Sequence, residues 1–178
     1  MVTQAPTARD PREVVVWSAL DEIADPEIPG ISLVELGVIR SVAVAALPDG
    51  GERVTVELLP TFVGCPAIGV MAERIDERLQ AMEVAAEVSV EVSFAEPWTS
   101  ERISAEGREK LRQSGFAPPV MIGPTFTGEE LQTMLPVAEC PYCGSRNTTL
   151  ENPFGPTLCR AIYHCADCRQ PFEQFKVV

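Results

Sequence analysis

Between Asp10 and Glu27, Val16, Leu20 and Ile23 recur at helical spacing with polar residues between them, which predicts an amphipathic helix over about 11–24. Asp10 is placed to cap it, Pro11 suits the first helical position, and Glu13 stands where a capping box is completed. Pro26 and Pro29 end it, because their rings deny the helical continuation. The period then drops to two. "GVIRSVAVAALPDGGERVTVELLP" carries two alternating, β-branched runs around a glycine turn, the pattern of a hairpin. Helical periodicity returns over about 66–82, with Ile68, Ala72, Ile75 and Leu79 on one face. Glu73, Arg74, Glu77 and Arg78 fall mostly on the other, where opposite charges at helical spacing read as a solvated face. "EVSVEVSF" predicts a third strand, and "SAEGREKLRQSG" a third, more polar helix stopped by Gly115.

The order helix, strand, strand, helix, strand, helix predicts an α+β fold, a small sheet with helices on one face, over residues 1–113. Trp17 and Trp98 read as core residues of this unit, Trp98 capping the sheet. Residues 114–138 turn rich in Pro and Gly, which marks a linker, and Thr127 with Glu130 predicts a capping box for one short helix inside it. Residues 139–178 form a third segment, distinguished by cysteine.

Charge narrows the functions available. The formal net charge of −12 sits in residues 1–138, which hold 10 Lys+Arg against 22 Asp+Glu, while residues 139–178 hold 4 of each. Neither segment carries the basic patch that neutralises phosphates, so nucleic acid is not an expected partner. The start "MVTQAPTARDPREV" lacks a basic region followed by an apolar run, and no apolar run approaches the roughly 18 residues of a membrane span. A cytoplasmic location is expected. Thiols stay reduced there, so six cysteines read as ligands or reactive groups before they read as disulfides.

Four of those cysteines form two knuckles. "CPYCG" spaces Cys140 and Cys143 by two residues, "CADC" repeats this at Cys165 and Cys168, and 21 residues separate the pairs. Two such knuckles complete a tetrahedron around one ion, and the interval fits a β-hairpin between them. A segment of about 40 residues buries too little apolar surface to stand alone, so a metal is physically expected to hold it together. Four sulfurs close the site, which makes it structural, with zinc or, in rubredoxin fashion, iron. Cys159 and His164 lack supporting spacing; each reads either as a further ligand or as an ordinary hairpin cysteine and exposed histidine.

Cys65 stands apart, in "PTFVGCPAI". Pro66 suits the first turn of a helix, which makes Cys65 its predicted N-cap and Gly64 the residue permitting a sharp strand-to-helix turn. A thiol there feels the helix dipole and free amides, which favour the thiolate, and Thr61 at the strand end presents its hydroxyl to the same spot. A small buried hydrophobe is the competing reading of Cys65.

"DPEIPGISLVELGVIRSV", "TFVGCPAIG" and "EPWTSERISAEGREKL" together resemble the successive blocks of the SufT-like iron–sulfur cluster assembly domains over roughly residues 10–113. With the "CPYCGS…FGPTLCRAIYHCADCRQPFEQFK" tail the resemblance narrows to the D-subunit family of bacterial phenylacetyl-CoA epoxidase systems, the PaaD or PaaJ type. That resemblance implies that Cys65 handles iron or an iron–sulfur cluster, with Asp25 and Glu27 of the acidic loop and Thr61 around it. The family often has Asp where this chain has Glu35, which puts a direct role for Glu35 in question. The setting implied is aerobic phenylacetate catabolism, the degradation of an aromatic compound by an oxygenase that epoxidises the ring of phenylacetyl-CoA. The chain then assembles or maintains the centres of the di-iron subunit or the iron–sulfur reductase, without carrying the active site itself. A single thiolate cannot hold a cluster that normally takes four cysteines, so a homodimer or a partner must supply further ligands.

Two other classes stay open at this level. A thiol enzyme built on Cys65 needs a positioned base, and the sole histidine, His164, lies in the ribbon and serves only if the ribbon folds back. A non-catalytic scaffold holding an oxygenase complex together needs no chemistry at Cys65 at all.

Overall fold

The computed structural model describes residues 10–119 and 137–176 apart from Pro29, Asp49 and Val63. The predicted capping box of Thr127 and Glu130 lies outside the described residues.

Helix α1 spans Pro11–Asp21, with the Asp10 side chain accepting from the Arg12 N–H. It ends earlier than the prolines require, because Ala24 instead forms an isolated antiparallel bridge with Ser32 and the Asp25 N–H donates to Ile31 O at 2.9 Å. Strands β1 (Ile39–Ala46) and β2 (Glu52–Leu58) form the predicted antiparallel hairpin. Helix α2 (Ala67–Ala81) then crosses back so that β3 (Glu87–Val92) pairs parallel to β2, giving the order β1-β2-β3. Strand β3 stops before Phe94, which is exposed.

The pleat sorts this sheet into two faces. Val54, Val56 and Leu58 of β2 are buried with Val42 of β1 beneath α1 and α2, joining Val16, Leu20, Met71, Ile75 and Leu79 in one core. The other face carries the ion pairs Arg40–Glu57 and Arg53–Glu87. Helices therefore cover one face only, as the alternation demands. The apolar stripe of α2 is rotated from expectation: Ala67 and Met71 are buried with Ile75 and Leu79, while Ile68 and Ala72 flank the core. Its arginines reach α1 and the turn after it, and not their helical neighbours, Arg78 to Glu22 at 2.5 Å and Arg74 to Ala24 O at 3.1 Å.

After β3 the chain makes a short 3₁₀ turn (Ser100–Arg102) and helix α3 (Ala105–Gln113), capped by Ser104 accepting from Gly107 N. Gly107 is required, since a Cβ there would meet Glu35 O at 2.8 Å. The stretch predicted as linker opens with structure: β4 (Phe116–Ala117) pairs parallel to the last strand of a second sheet. In that sheet β5 (Thr148–Asn152), β6 (Arg160–Cys165) and β7 (Pro171–Phe175) are antiparallel, and the order is β4-β7-β6-β5. The ribbon thus adds a third strand to its hairpin and borrows a fourth. Its own core is small, with Tyr163 stacked on Phe172 at 5.7 Å beside Cys140 and Cys165.

The second sheet closes against the first. Phe175 and Cys159 enter the main core, and Phe175 packs on Trp98 with ring centroids 5.7 Å apart. Trp98, donating to Leu36 O at 3.2 Å, is a junction between the two sheets more than a cap on one.

Candidate functional site

Two groups of chemically active side chains emerge. The first is the four-cysteine cluster. In the first knuckle Cys140 N donates to Ser145 O and Gly144 N to Cys140 O, both at 2.9 Å. The second repeats the pattern, Cys165 N to Gln170 O at 3.0 Å and Arg169 N to Cys165 O at 2.9 Å. Gly144 and Arg169 both take positive φ, 71° and 61°, so each loop folds its two sulfurs to one side. Asp167 of the second knuckle braces the first, accepting from Ser145 Oγ at 2.5 Å and Asn147 Nδ2 at 2.8 Å.

The sulfurs converge accordingly. Cys140 and Cys168 lie 3.6 Å apart, as do Cys143 and Cys165, and all four ligand atoms fall within 4.8 Å of one another. A tetrahedron with metal–sulfur bonds of about 2.3 Å has edges of roughly 3.8 Å, so the donor set and spacing fit a four-sulfur metal site. Backbone N–H groups of Cys168 and Asp167 pull Cys165 down to about 7, while Cys143, facing three other sulfurs, is pushed up to about 12. Four sulfurs at this range cannot all ionise until a cation joins them.

The second group surrounds Cys65. Gly64 has φ 84°, as the sharp turn requires. The cap of α2 is Pro66 and not Cys65, so Cys65 sits one residue outside the helix, donating its N–H to Phe62 O at 3.1 Å. Its thiol does not behave as a freely ionising one. Burial pushes it up from its ordinary value; the Ala67 N–H opposes this, and Glu27, Cys159 and Asp25 push it further. The expected thiolate is therefore overruled by desolvation and like charge.

The four residues expected here do converge. Asp25, Glu27, Thr61 and Cys65 line one cavity of ≈ 10 Å³, room for about one water molecule, lined also by Met71 and Phe175. Asp25 is buried, with Oδ1 accepting from Glu27 N and Ile28 N at 2.8 Å each. Burial nonetheless raises its carboxyl above the ordinary range. A wider cleft of ≈ 200 Å³ opens outside, bounded by Thr61, Phe62, Cys65 and Pro66 on one side and by Gly155–Cys159 of the ribbon on the other.

Two further residues complete the site. Cys159 lines both cavities, and its Sγ lies 3.1 Å from Thr157 Oγ1. Arg160, nearly buried, donates to Thr157 Oγ1 at 2.8 Å and Glu173 at 2.9 Å, lies 3.9 Å from Glu27 and covers the Phe116 ring at 5.5 Å. The ribbon does fold back on Cys65, yet His164 lies farther along β6 opposite Thr149 and Pro171 and lines neither cavity. The base that a thiol enzyme needs does not arrive with it. Glu35 is occupied structurally: it accepts from Ser32 N at 2.9 Å, donates its own N–H to Ser32 Oγ at 3.0 Å and pairs with Lys110 at 2.7 Å. This is a capping box, legible in the sequence as "SLVE".

Comparison with known proteins divides the chain in the same way. The family model described as iron–sulfur cluster assembly protein matches residues 13–92, and that described as PaaD zinc beta ribbon domain matches residues 127–176. An Escherichia coli (strain K12) protein, the D component of a system named "Putative 1,2-phenylacetyl-CoA epoxidase", is 34% identical, over 97% of this chain and 97% of its own length. A Porphyromonas gingivalis (strain ATCC BAA-308 / W83) "Fe-S protein maturation auxiliary factor" is 30% identical, over 52% of this chain and 83% of its own. Among solved structures, a domain of unknown function, DUF59, from Bacillus anthracis is 26% identical, covering 56% of this chain and 91% of that one with a TM-score of 0.49. An α+β unit with a cysteine between its second strand and second helix, joined to a four-cysteine ribbon and matched over nearly its whole length, places the chain in the D-subunit family of phenylacetyl-CoA epoxidase systems.

Proposed function

We propose that the chain is an accessory protein of the phenylacetyl-CoA epoxidase system that assembles or maintains its iron or iron–sulfur centres, acting in the cytoplasm and not as the oxygenase itself. The observation that supports this best is the convergence of Asp25, Glu27, Thr61 and Cys65 on one small cavity beneath an open cleft. A sulfur with two carboxylates beside it is a donor set for iron. A thiol kept protonated until cargo arrives suits reversible binding, because the metal must displace the proton and the proton can return. The cluster or iron is cargo, passed on to the di-iron subunit or the reductase. The four ribbon cysteines hold one resident metal, zinc by their geometry, which stabilises the fold and contributes no step of chemistry.

The scaffold reading has one observation in its favour: a half-buried thiol with a raised pKa is also what a packing cysteine looks like. Anaerobic metal and sulfide analysis separates the two. After a donor cluster is offered, the wild type should keep about one zinc per chain and gain iron and sulfide that Cys65→Ser does not. Equal uptake, or none by either protein, moves the scaffold reading ahead.

A further inference from the structure

We propose that Cys159 is the second thiolate of the Cys65 site, so that one chain offers a pair of sulfur ligands, one from each sheet, to a soft metal ion or to one iron of a cluster. This rests on the reading of Cys65 given above and adds to it a ligand from the ribbon.

Cys159 is a free thiol separate from the four-sulfur cluster, although Cys165 follows it by six positions. The difference lies in which core each belongs to. Cys165 is buried in the ribbon's own core, whereas Cys159 is buried in the main core with the first sheet. Both cavities at the site are lined by Cys65 and Cys159 together, and the inner one adds Asp25 and Glu27. Neighbouring bonds hold the cysteine in place: its carbonyl accepts from Lys176 N at 2.8 Å, and Arg160 beside it is fixed on Thr157 and Glu173.

Thiolates select iron, zinc and copper(I), and carboxylates beside them widen the choice toward iron. Two thiolates are half of what a four-cysteine cluster needs. The open cleft of ≈ 200 Å³ outside them leaves the remaining coordination to a second ligand set. Binding is a proton exchange: each sulfur–metal bond forms as its thiol proton passes to solvent, and no electron moves. A site with half the ligands of a permanent one gives up its cargo to a partner that offers more.

The test uses the full chain with one equivalent of zinc already filling the ribbon, titrated anaerobically with Co(II), whose thiolate-to-metal charge-transfer absorption reports sulfur ligands. Wild type should bind a second ion with that absorption. Cys159→Ser and Cys159→Ala should each show about half the intensity and bind Co(II) about tenfold or more weakly. If Cys65→Ser loses the second ion while both Cys159 variants bind it as wild type does, the pair is refuted and the Cys65 reading survives. If Cys65→Ser also binds as wild type, both fall. Should the Cys159 variants lose their zinc or their fold, dibromobimane on the unaltered zinc-filled protein decides. A fluorescent bridge mapped by mass spectrometry to Cys65 and Cys159 supports the pair, and its absence overturns it.

Discussion

At the residue scale the informative group is Asp25. Its carboxylate is buried, accepts two backbone N–H groups and has a raised pKa because burial outweighs those bonds and the attraction of Arg160 and Arg74. Between the ordinary value of 3.8 and the raised folded value, the folded state holds a proton that the unfolded state has released. Stability therefore falls as pH rises through that window and stays reduced above it. Asn at this position keeps an oxygen for both N–H groups and removes the charge. Asp25→Asn is expected to stabilise the protein by roughly 0.5–2 kcal/mol at pH 7, with the gain shrinking toward the ordinary carboxylate range, while iron uptake drops. Urea midpoints at neutral and acidic pH measure it. A destabilised variant at pH 7 would mean that the two arginines, and not burial, govern this carboxylate.

At the element scale the knuckles show what a pattern can and cannot reveal. The second knuckle places Arg169 in the left-handed conformation that Gly144 takes in the first. That conformation costs a residue with a side chain about 1–2 kcal/mol, so Arg169→Gly is expected to raise the thermal midpoint with one metal per chain retained. Calorimetry on the metal-loaded protein checks it. The C-x-x-C spacing was sufficient to find this site because the ligands are local in sequence, two residues apart in rigid loops. The hairpin and helices were legible for the same reason, since period and caps are local. The rotated stripe of α2 was not, because Ala67 and Met71 are chosen by what packs against them. Strand β4 was hidden too: two residues carry no period, and Phe116–Ala117 is a strand only because β7 offers its edge. Around Cys65, the resemblance pointed to Asp25, Glu27 and Thr61, while Cys159 and Arg160 are single residues whose significance is made by the closing of one sheet on the other.

That closing is the main fact at the scale of the whole molecule. The ribbon has a small core of its own and commits Phe175, Cys159 and Arg160 to the first sheet, so its metal holds in place one wall of the Cys65 cleft. Metal site and cargo site are thereby coupled mechanically, although they share no ligand. Removing the ribbon metal withdraws the cation that lets four crowded sulfurs ionise together, and the knuckles should open. Loss of order there should spread along β6 and β7 to Cys159 and Phe175, while β1 and β2, buried under α1 and α2, persist. Hydrogen exchange after mercurial titration and chelation should accordingly show protection lost across β5 to β7 and kept across β1 and β2. Cys65 should meanwhile alkylate faster at fixed pH, since burial that raises its pKa is relieved and Cys159 departs. If the ribbon exchanges freely while Cys65 reacts at its former rate, the wall is not what shields the thiol. If both change together, the zinc ribbon governs access to a site that its own ligands never touch.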